Sequence, residues 1–241
     1  MMKKLLFIFN LILLLCISCK QKEFDLADLR FPIDKKQLNM LGVETAPYKT
    51  YLENETVKFI SDSSSVMRFG GIVLAGNLNR YNNNIYLSNT VRFLEDRTDK
   101  TIQAYEVAIK TSEETEQLEN YFDKQFGKTD FYYKDADVSC RVWEKEGILY
   151  FLGINFDVYN PDQIKKHLRT ALLFVVNKNS HTLINDEAPD GHYFRFYHYY
   201  LEAKEKPEYK TLTYRQYMGL KRSQDQSEGV ETIYAEHYIK Q

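Results

Sequence analysis

The sequence predicts an α+β fold, a mainly antiparallel sheet with one main helix, residues 112–126, packed across it. Three features predict it. Short apolar runs of strand length recur from residue 57 onward, bounded by Gly, Asn, Ser and Asp. Residues 112–126 carry apolar side chains at helical spacing more clearly than any other stretch. The chain has 241 residues, 44% of them hydrophobic, and no internal repeat or purely charged linker divides it. That is enough chain for a self-sufficient core.

The elements follow in order. Val57-Lys58-Phe59-Ile60 reads as a strand, and Ser61–Ser65 as the turn after it. Met67–Ala75 carries Phe69, Ile72, Val73 and Leu74 around Gly70-Gly71, where a bend or bulge is expected. Asn82-Asn83-Asn84 marks a turn, because Asn tolerates left-handed backbone angles. Ile85–Leu87, Val91–Leu94 and Thr101–Ile109 read as short strands, with Asp96–Lys100 as the polar turn between the last two.

For the main helix, Thr111 is the expected cap and Glu114 completes a capping box. Glu113, Glu114 and Glu116 fall at the positive end of the helix dipole, and Lys124 lies near the other end. Leu118, Tyr121, Phe122 and Phe126 form one apolar stripe, expected to pack on the sheet. Gly127 supplies a left-handed stop. Asp137–Lys145 and Gly147–Phe156 are strands joined at Lys145-Glu146-Gly147. Asn160-Pro161 opens a short second helix over about 161–170, with Asn as cap and Pro at the first helical position, continued by Ile164, Leu168 and Ala171. Leu172–Val176 reads as a buried strand and Tyr193–Leu201 as a dense aromatic one. Lys204–Glu208 is a charged loop containing Pro207, and Glu231–Ile239 a final strand.

The N-terminus has a different character. Met1-Met2-Lys3-Lys4 precedes an apolar run from Leu5 to Ile17, then Ser18-Cys19-Lys20. A short positive end, an apolar stretch and a small residue describe an export signal. The run falls short of the about 20 residues that span a membrane, and Asn10 interrupts it. The segment Leu13-Leu14-Leu15-Cys16-Ile17-Ser18-Cys19 resembles the lipobox of bacterial lipoproteins. This resemblance reaches no further than the first twenty residues. It implies removal of residues 1–18, a diacylglycerol group on the Cys19 sulfur and acylation of the new amino end. Lys20 stands where an aspartate would imply inner-membrane retention, so the resemblance implies the outer membrane. Each buried methylene contributes about 0.8 kcal/mol, and two or three chains anchor a protein stably. Residues 19–35 are then a lipidated tether, along which Leu26, Leu29 and Phe31 can dock, and 36–241 a single globular domain.

Charge and cysteines narrow the chemistry. With 32 basic and 34 acidic residues, the formal charge is −2. Nucleic-acid binders carry a basic bias that is missing here. Cys16 leaves with the signal and Cys19 takes the lipid, so Cys140 is the remaining thiol. In Val138-Ser139-Cys140-Arg141-Val142, alternation sets Cys140 on a face with two valines, as a small buried hydrophobe. A nucleophilic role would need a histidine beside it. The five histidines, His167, His181, His192, His198 and His237, are widely spaced, with no HExxH or CxxC, so no metal is implied. Asp190-Gly191-His192 reads as a turn. There is no GxSxG, SxxK or P-loop, so no residue is nominated as catalytic and no cofactor is implied.

The aromatic load is unusual: 19 Tyr and 15 Phe against one Trp. Read as a strand, residues 193–200 place Phe194, Phe196, His198 and Tyr200 on one face. Tyr193, Arg195, Tyr197 and Tyr199 take the other, and form the candidate binding surface. Tyr and Arg are enriched at interface hot spots. The plainer alternative is that cross-strand aromatic pairs stabilise the sheet. Sugar platforms lean on tryptophan, which argues against that ligand. The expectation is a lipid-anchored, non-catalytic envelope module that binds a protein or small ligand. One rival is an envelope hydrolase, favoured if His192 or His198 meets an acid in a concave pocket. Another, by analogy alone, is an immunity-type lipoprotein.

Overall fold

The computed structural model describes residues 23–46, 58–80, 85–134, 136–158, 168–189 and 192–229. Its strands are β1 Glu44–Ala46, β2 Lys58–Ser61, β3 Arg68–Phe69, β4 Ile72–Val73, β5 Asn77–Arg80 and β6 Ile85–Ser88. They continue as β7 Thr90–Glu95, β8 Ile102–Ile109, β9 Phe131–Lys134, β10 Val138–Lys145, β11 Ile148–Val158 and β12 Leu168–Asn177. The helices are α1 Lys35–Met40, α2 Ser112–Gln125, α3 His181–Glu187, α4 His192–Ala203 and α5 Tyr214–Ser227. The export signal, Asn82–Asn84, Asn160–His167 and Glu231–Ile239 lie outside the described residues.

Eight strands form one sheet in the order β1-β2-β7-β8-β12-β11-β10-β9, and every neighbouring pair is antiparallel. The α+β expectation holds. The β3–β4 and β5–β6 hairpins stand apart from this sheet. Two meanders meet where β8 pairs with β12. The chain leaves β8 in the middle of the sheet and resumes at β9, four strands away. At about 4.8 Å per strand that is about 19 Å. Helix α2 has 14 residues, and at 1.5 Å each it spans about 21 Å. It starts over β12, where Ser112 Oγ accepts from Arg169 N at 3.0 Å. It ends over β10, where Trp143 Nε1 donates to Gly127 O at 3.2 Å.

Both faces of the sheet are buried. On one face Val91, Phe93, Tyr105, Val107, Trp143, Leu152 and Leu173 pack with Leu118 and Phe122 of α2 and with Leu26, Ile33 and Phe69. On the other Leu94, Cys140, Val142, Phe151, Phe174 and Val176 pack with Leu183, Tyr197 and Met218 of the last three helices. Strands buried on two sides read as nearly continuous apolar runs, as Leu172–Val176 does. Gln103 is the exception that proves the parity. Leu94 pairs with Ala104 but Glu95 with Ile102, so Gln103 is an extra residue on β8. Such a bulge shifts the alternation by one, and Ile102 therefore shares a face with Tyr105 rather than with Ala104.

The turns follow their sequence signals. Glu146 and Gly147 have φ of 51° and 77°, the two-residue β10–β11 hairpin turn. Gly70 and Gly71, at 59° and 83°, turn β3 into β4. Asp25 braces that hairpin by accepting from Gly70 N at 2.8 Å and Gly71 N at 2.6 Å.

Three expectations are corrected. Thr111 makes no capping hydrogen bond. Its hydroxyl instead accepts from Asn89 Nδ2 at 2.7 Å, and Asn89 also binds Leu74 O and Lys110 N, satisfying a fully buried amide. Residues 168–170, expected at the end of the second helix, already belong to β12, because Leu168 and Ala171 are claimed by pairing with β11. Within residues 19–35, the part from Glu23 docks on the body, as expected of Leu26, Leu29 and Phe31. Leu26, Leu29 and Ile33 are buried, and Tyr105 donates its hydroxyl to Leu26 O at 2.9 Å. Finally, residues 193–201 lie in helix α4 and not in a strand. Aromatic residues at nearly every position satisfy either period, and the face of β11 and β12 beneath them needed a cover.

One polar network crosses the first core. Arg141 Nη2 pairs with Glu119 Oε1 at 2.7 Å, Arg141 Nη1 with Asp123, and Arg169 with the second oxygen of Glu119. The carboxylate of Glu119 therefore ties α2 to β10 and β12 together. Removing one partner of a buried pair costs about 3–5 kcal/mol, and with Asp123 still beside Arg141 we expect Glu119→Leu to cost about 2 kcal/mol. Urea unfolding checks this, with exposed Glu113→Leu as control. Equal midpoints for the two variants would contradict it.

Candidate functional site

The last three helices lie on the face of the sheet opposite α2 and the N-terminal segment. Helix α5 begins with a complete capping box, in which Thr213 Oγ1 accepts from Gln216 N and Gln216 accepts from Thr213 N. This start fixes Tyr214, Tyr217 and Met218 inward, where all three are buried. Helix α4 answers with Phe194, Tyr197 and Tyr200. Their rings interlock, with centroids 5.4 Å apart for Tyr197 and Tyr214, and 5.3 Å for Tyr200 and Tyr214. Offset and edge contacts of this kind add stabilisation beyond burial alone.

Two clefts open around the C-terminal end of α4, and Lys204 lines both. The first, ≈ 320 Å³, lies between α3 and α4, with Ile184 and Leu201 as apolar wall and His181, His198, Glu202 and Glu205 as polar wall. The second, ≈ 530 Å³, has Tyr197, Tyr200 and Tyr214 at its floor and Lys128, Asp130, Glu144 and Arg215 around it. Lys178 of the first cleft and Glu144 of the second form an ion pair across the ridge that separates them. Tyr200 donates its hydroxyl to Leu212 O at 2.9 Å, which holds the loop after α4 against the tyrosine cluster. Lys204 Nζ sits 5.3 Å from the Tyr200 ring centroid, a cation–π distance.

Desolvation raises the pKa of Tyr197 well above the ordinary 10.0, and nearby Asp130 and Glu144 push it the same way. Burial raises Tyr200 as well, followed by the same two carboxylates, with Lys178 opposing. Both shifts favour the neutral phenol at Tyr197 and Tyr200.

The candidate surface of Tyr193, Arg195, Tyr197 and Tyr199 is divided by the helix. Alternate residues on a helix step about 200° around its axis, so these four share no face. Tyr197 is 1% exposed and Tyr199 46% exposed. The side chains of Tyr193 and Arg195 lie outside the described residues, as does that of His192. Cys140 is buried in the core beside Val138 and Val142, away from either cleft. Among the described residues no group of three or more His, Cys, Asp or Glu could hold a metal ion, and no helix is long and apolar enough to cross a membrane. Lys128, Lys204 and Arg215 were not singled out in the sequence. The Thr213-Tyr214-Arg215-Gln216 capping signal could have pointed to α5 and so to Arg215.

Comparison with protein-family models, curated proteins and solved structures finds no match to this chain.

The raised tyrosines make stability fall in alkali. Below the unfolded value of 10.0 both states keep the Tyr197 proton, and its contribution is intact. Above it the unfolded chain ionises first, so stability drops as pH rises towards the folded value. Tyr197→Phe is expected to flatten that decline between wild type and variant, measured as denaturation midpoint against pH. An unchanged slope would contradict the assignment.

Proposed function

We propose that this protein is a lipid-anchored, non-catalytic binding module of the bacterial cell envelope, held by acyl chains on Cys19 at the outer membrane and taking a protein or small ligand on its helical face. The anchor rests on the export signal and the lipobox-like segment ending at Cys19. The observation that supports a binding role best is the pair of clefts joined at Lys204, with a floor of tyrosines in the larger one and walls of both charge signs. The packed tyrosines give the larger cleft a rigid base, and mixed charges on the walls suit a polar, zwitterionic partner such as a polypeptide segment better than a uniformly charged one. The tethered segment docks on the opposite face of the sheet, which leaves these clefts turned away from it.

A second reading draws on His198, which shares the smaller cleft with Glu202 and Glu205. An imidazole near carboxylates in a concave site is the arrangement expected of a hydrolase using general acid–base chemistry. A His198→Gln variant separates the two readings: loss of ester or amide turnover favours the hydrolase, and unaltered partner capture favours the binding module.

Two outcomes test the main reading. Intact-mass analysis of the membrane-extracted product is expected to show a chain beginning at Cys19 with added acyl mass, and Cys19→Ala is expected to abolish that mass. A chain that keeps residues 1–18, or a bare thiol at its start, contradicts the anchor. A photo-crosslinking residue at Lys204 is expected to give a discrete adduct in intact cells, whereas one at exposed Glu116 on α2 does not. Identical results at the two positions contradict the site.

A further inference from the structure

We propose that the body rests on the bilayer with a defined face, the surface formed by Glu23–Leu29, α1 and the β3–β4 hairpin, with Met40 entering the headgroup layer. The inference depends on the lipid anchor at Cys19 proposed above and adds an orientation to it.

Reach is the first argument. Glu23 is docked next to the body and lies four residues from Cys19. Four extended residues span at most about 14 Å. A domain of this size has a radius of gyration of about 17 Å. The tether is thus shorter than the body's own radius, and whatever surface surrounds Glu23 has to lie against the membrane. Free tumbling on a leash would require a longer one.

The surface around Glu23 is the second argument. A cleft of ≈ 740 Å³ opens there, lined by Glu23, Phe24, Leu29, Met40, Leu41 and Arg68. Met40 at its rim is 81% exposed, against 47% for Leu220, 46% for Tyr199 and 40% for Val73, the other exposed large hydrophobics among the described residues. A single exposed apolar residue needs no explanation by itself. Its position does the arguing: it stands on the cleft that begins at the tether. Val73, another of the four, pairs across its hairpin with Arg68 of the same cleft. Methionine is unbranched and polarizable, which suits an irregular lipid surface.

Charge is the third. Glu23 is held by Arg68 at 2.7 Å. Asp25 is occupied by the amides of Ala27, Gly70 and Gly71. Asp34 caps α1 through Lys36 N at 2.9 Å. Glu23, Asp28 and Asp34 are exposed on this face, and their charge is offset by Arg68 on Glu23 and by exposed Lys36, with Lys20 and Lys22 in the tether itself. Basic residues beside an anchor add attraction to anionic headgroups.

The test uses the mature acylated protein on vesicles of phosphatidylethanolamine and phosphatidylglycerol containing a nitroxide-headgroup lipid. A fluorophore is placed at Met40→Cys or, as control, at Leu220→Cys on α5. Both positions are exposed, so neither substitution threatens the fold, and Cys140 is buried from the label. Quenching several-fold stronger at position 40 than at 220 is the expected result. With acyl mass on Cys19 confirmed, equal quenching at both sites, or stronger quenching at 220, overturns the orientation alone. Absence of acyl mass overturns the anchor, and the orientation with it.

Discussion

The middle strands of the sheet, β8, β10, β11 and β12, leave no face to water, and this two-sided burial governs the rest of the molecule. An antiparallel sheet commonly keeps one wet face, with polar residues alternating along each strand. Here Leu152, Ile154 and Leu173 point one way and Leu149, Phe151 and Phe174 the other, and all are buried. The chain therefore has to supply two covers. The first comes from α2, the N-terminal segment and the β3–β4 hairpin, and the second from the last three helices. Polar groups caught between the layers find partners close by. Asn89 satisfies three neighbours, and Glu119 holds two arginines.

Much of this was legible where local chemistry and tertiary need agree. Helix α2 carries a stripe of one period, ends at Gly127 with φ of 68°, and lies where the stripe says it should. The Lys145–Gly147 and Asp96–Lys100 segments turn as their polar residues and Gly147 predict, and Glu146 and Lys100 take positive φ there although neither is a residue type that favours it. The failures share a cause. In residues 193–201 every position is aromatic, basic or aliphatic, so period two and period 3.6 fit equally well and packing decides. Phe194, Tyr197, His198 and Leu201 then fall at helical spacing toward the core and the smaller cleft. The same ambiguity hid the start of β12 at Leu168. Asn89 was unreadable because its partners, Leu74, Lys110 and Thr111, come together only in the fold. The candidate site was legible only in part. Tyrosine abundance drew attention to residues 193–199, which lie on a helix rather than a strand, and Lys128 and Arg215 approach the larger cleft from other elements.

The two covers give the molecule two distinct sides. One carries the N-terminal segment from Glu23, the cleft beside it and the exposed Met40. The other carries the tyrosine floor, the paired clefts and Lys204. A buried sheet between them is a natural partition. Close-packed interiors are stiff and deform little, so the N-terminal side and the cleft side hold a fixed relation. Under the anchor proposed at Cys19, that relation decides what the clefts can meet.

Native-state hydrogen exchange followed by mass spectrometry tests the two-sided burial most directly. If the middle strands are sealed by both covers, the amides of Leu149–Leu152 and Leu173–Val176 exchange only when the whole domain unfolds, more slowly than those of α1 or α5. Exchange in those two segments as fast as in α5 would mean that one face opens to water on its own, and would contradict the account.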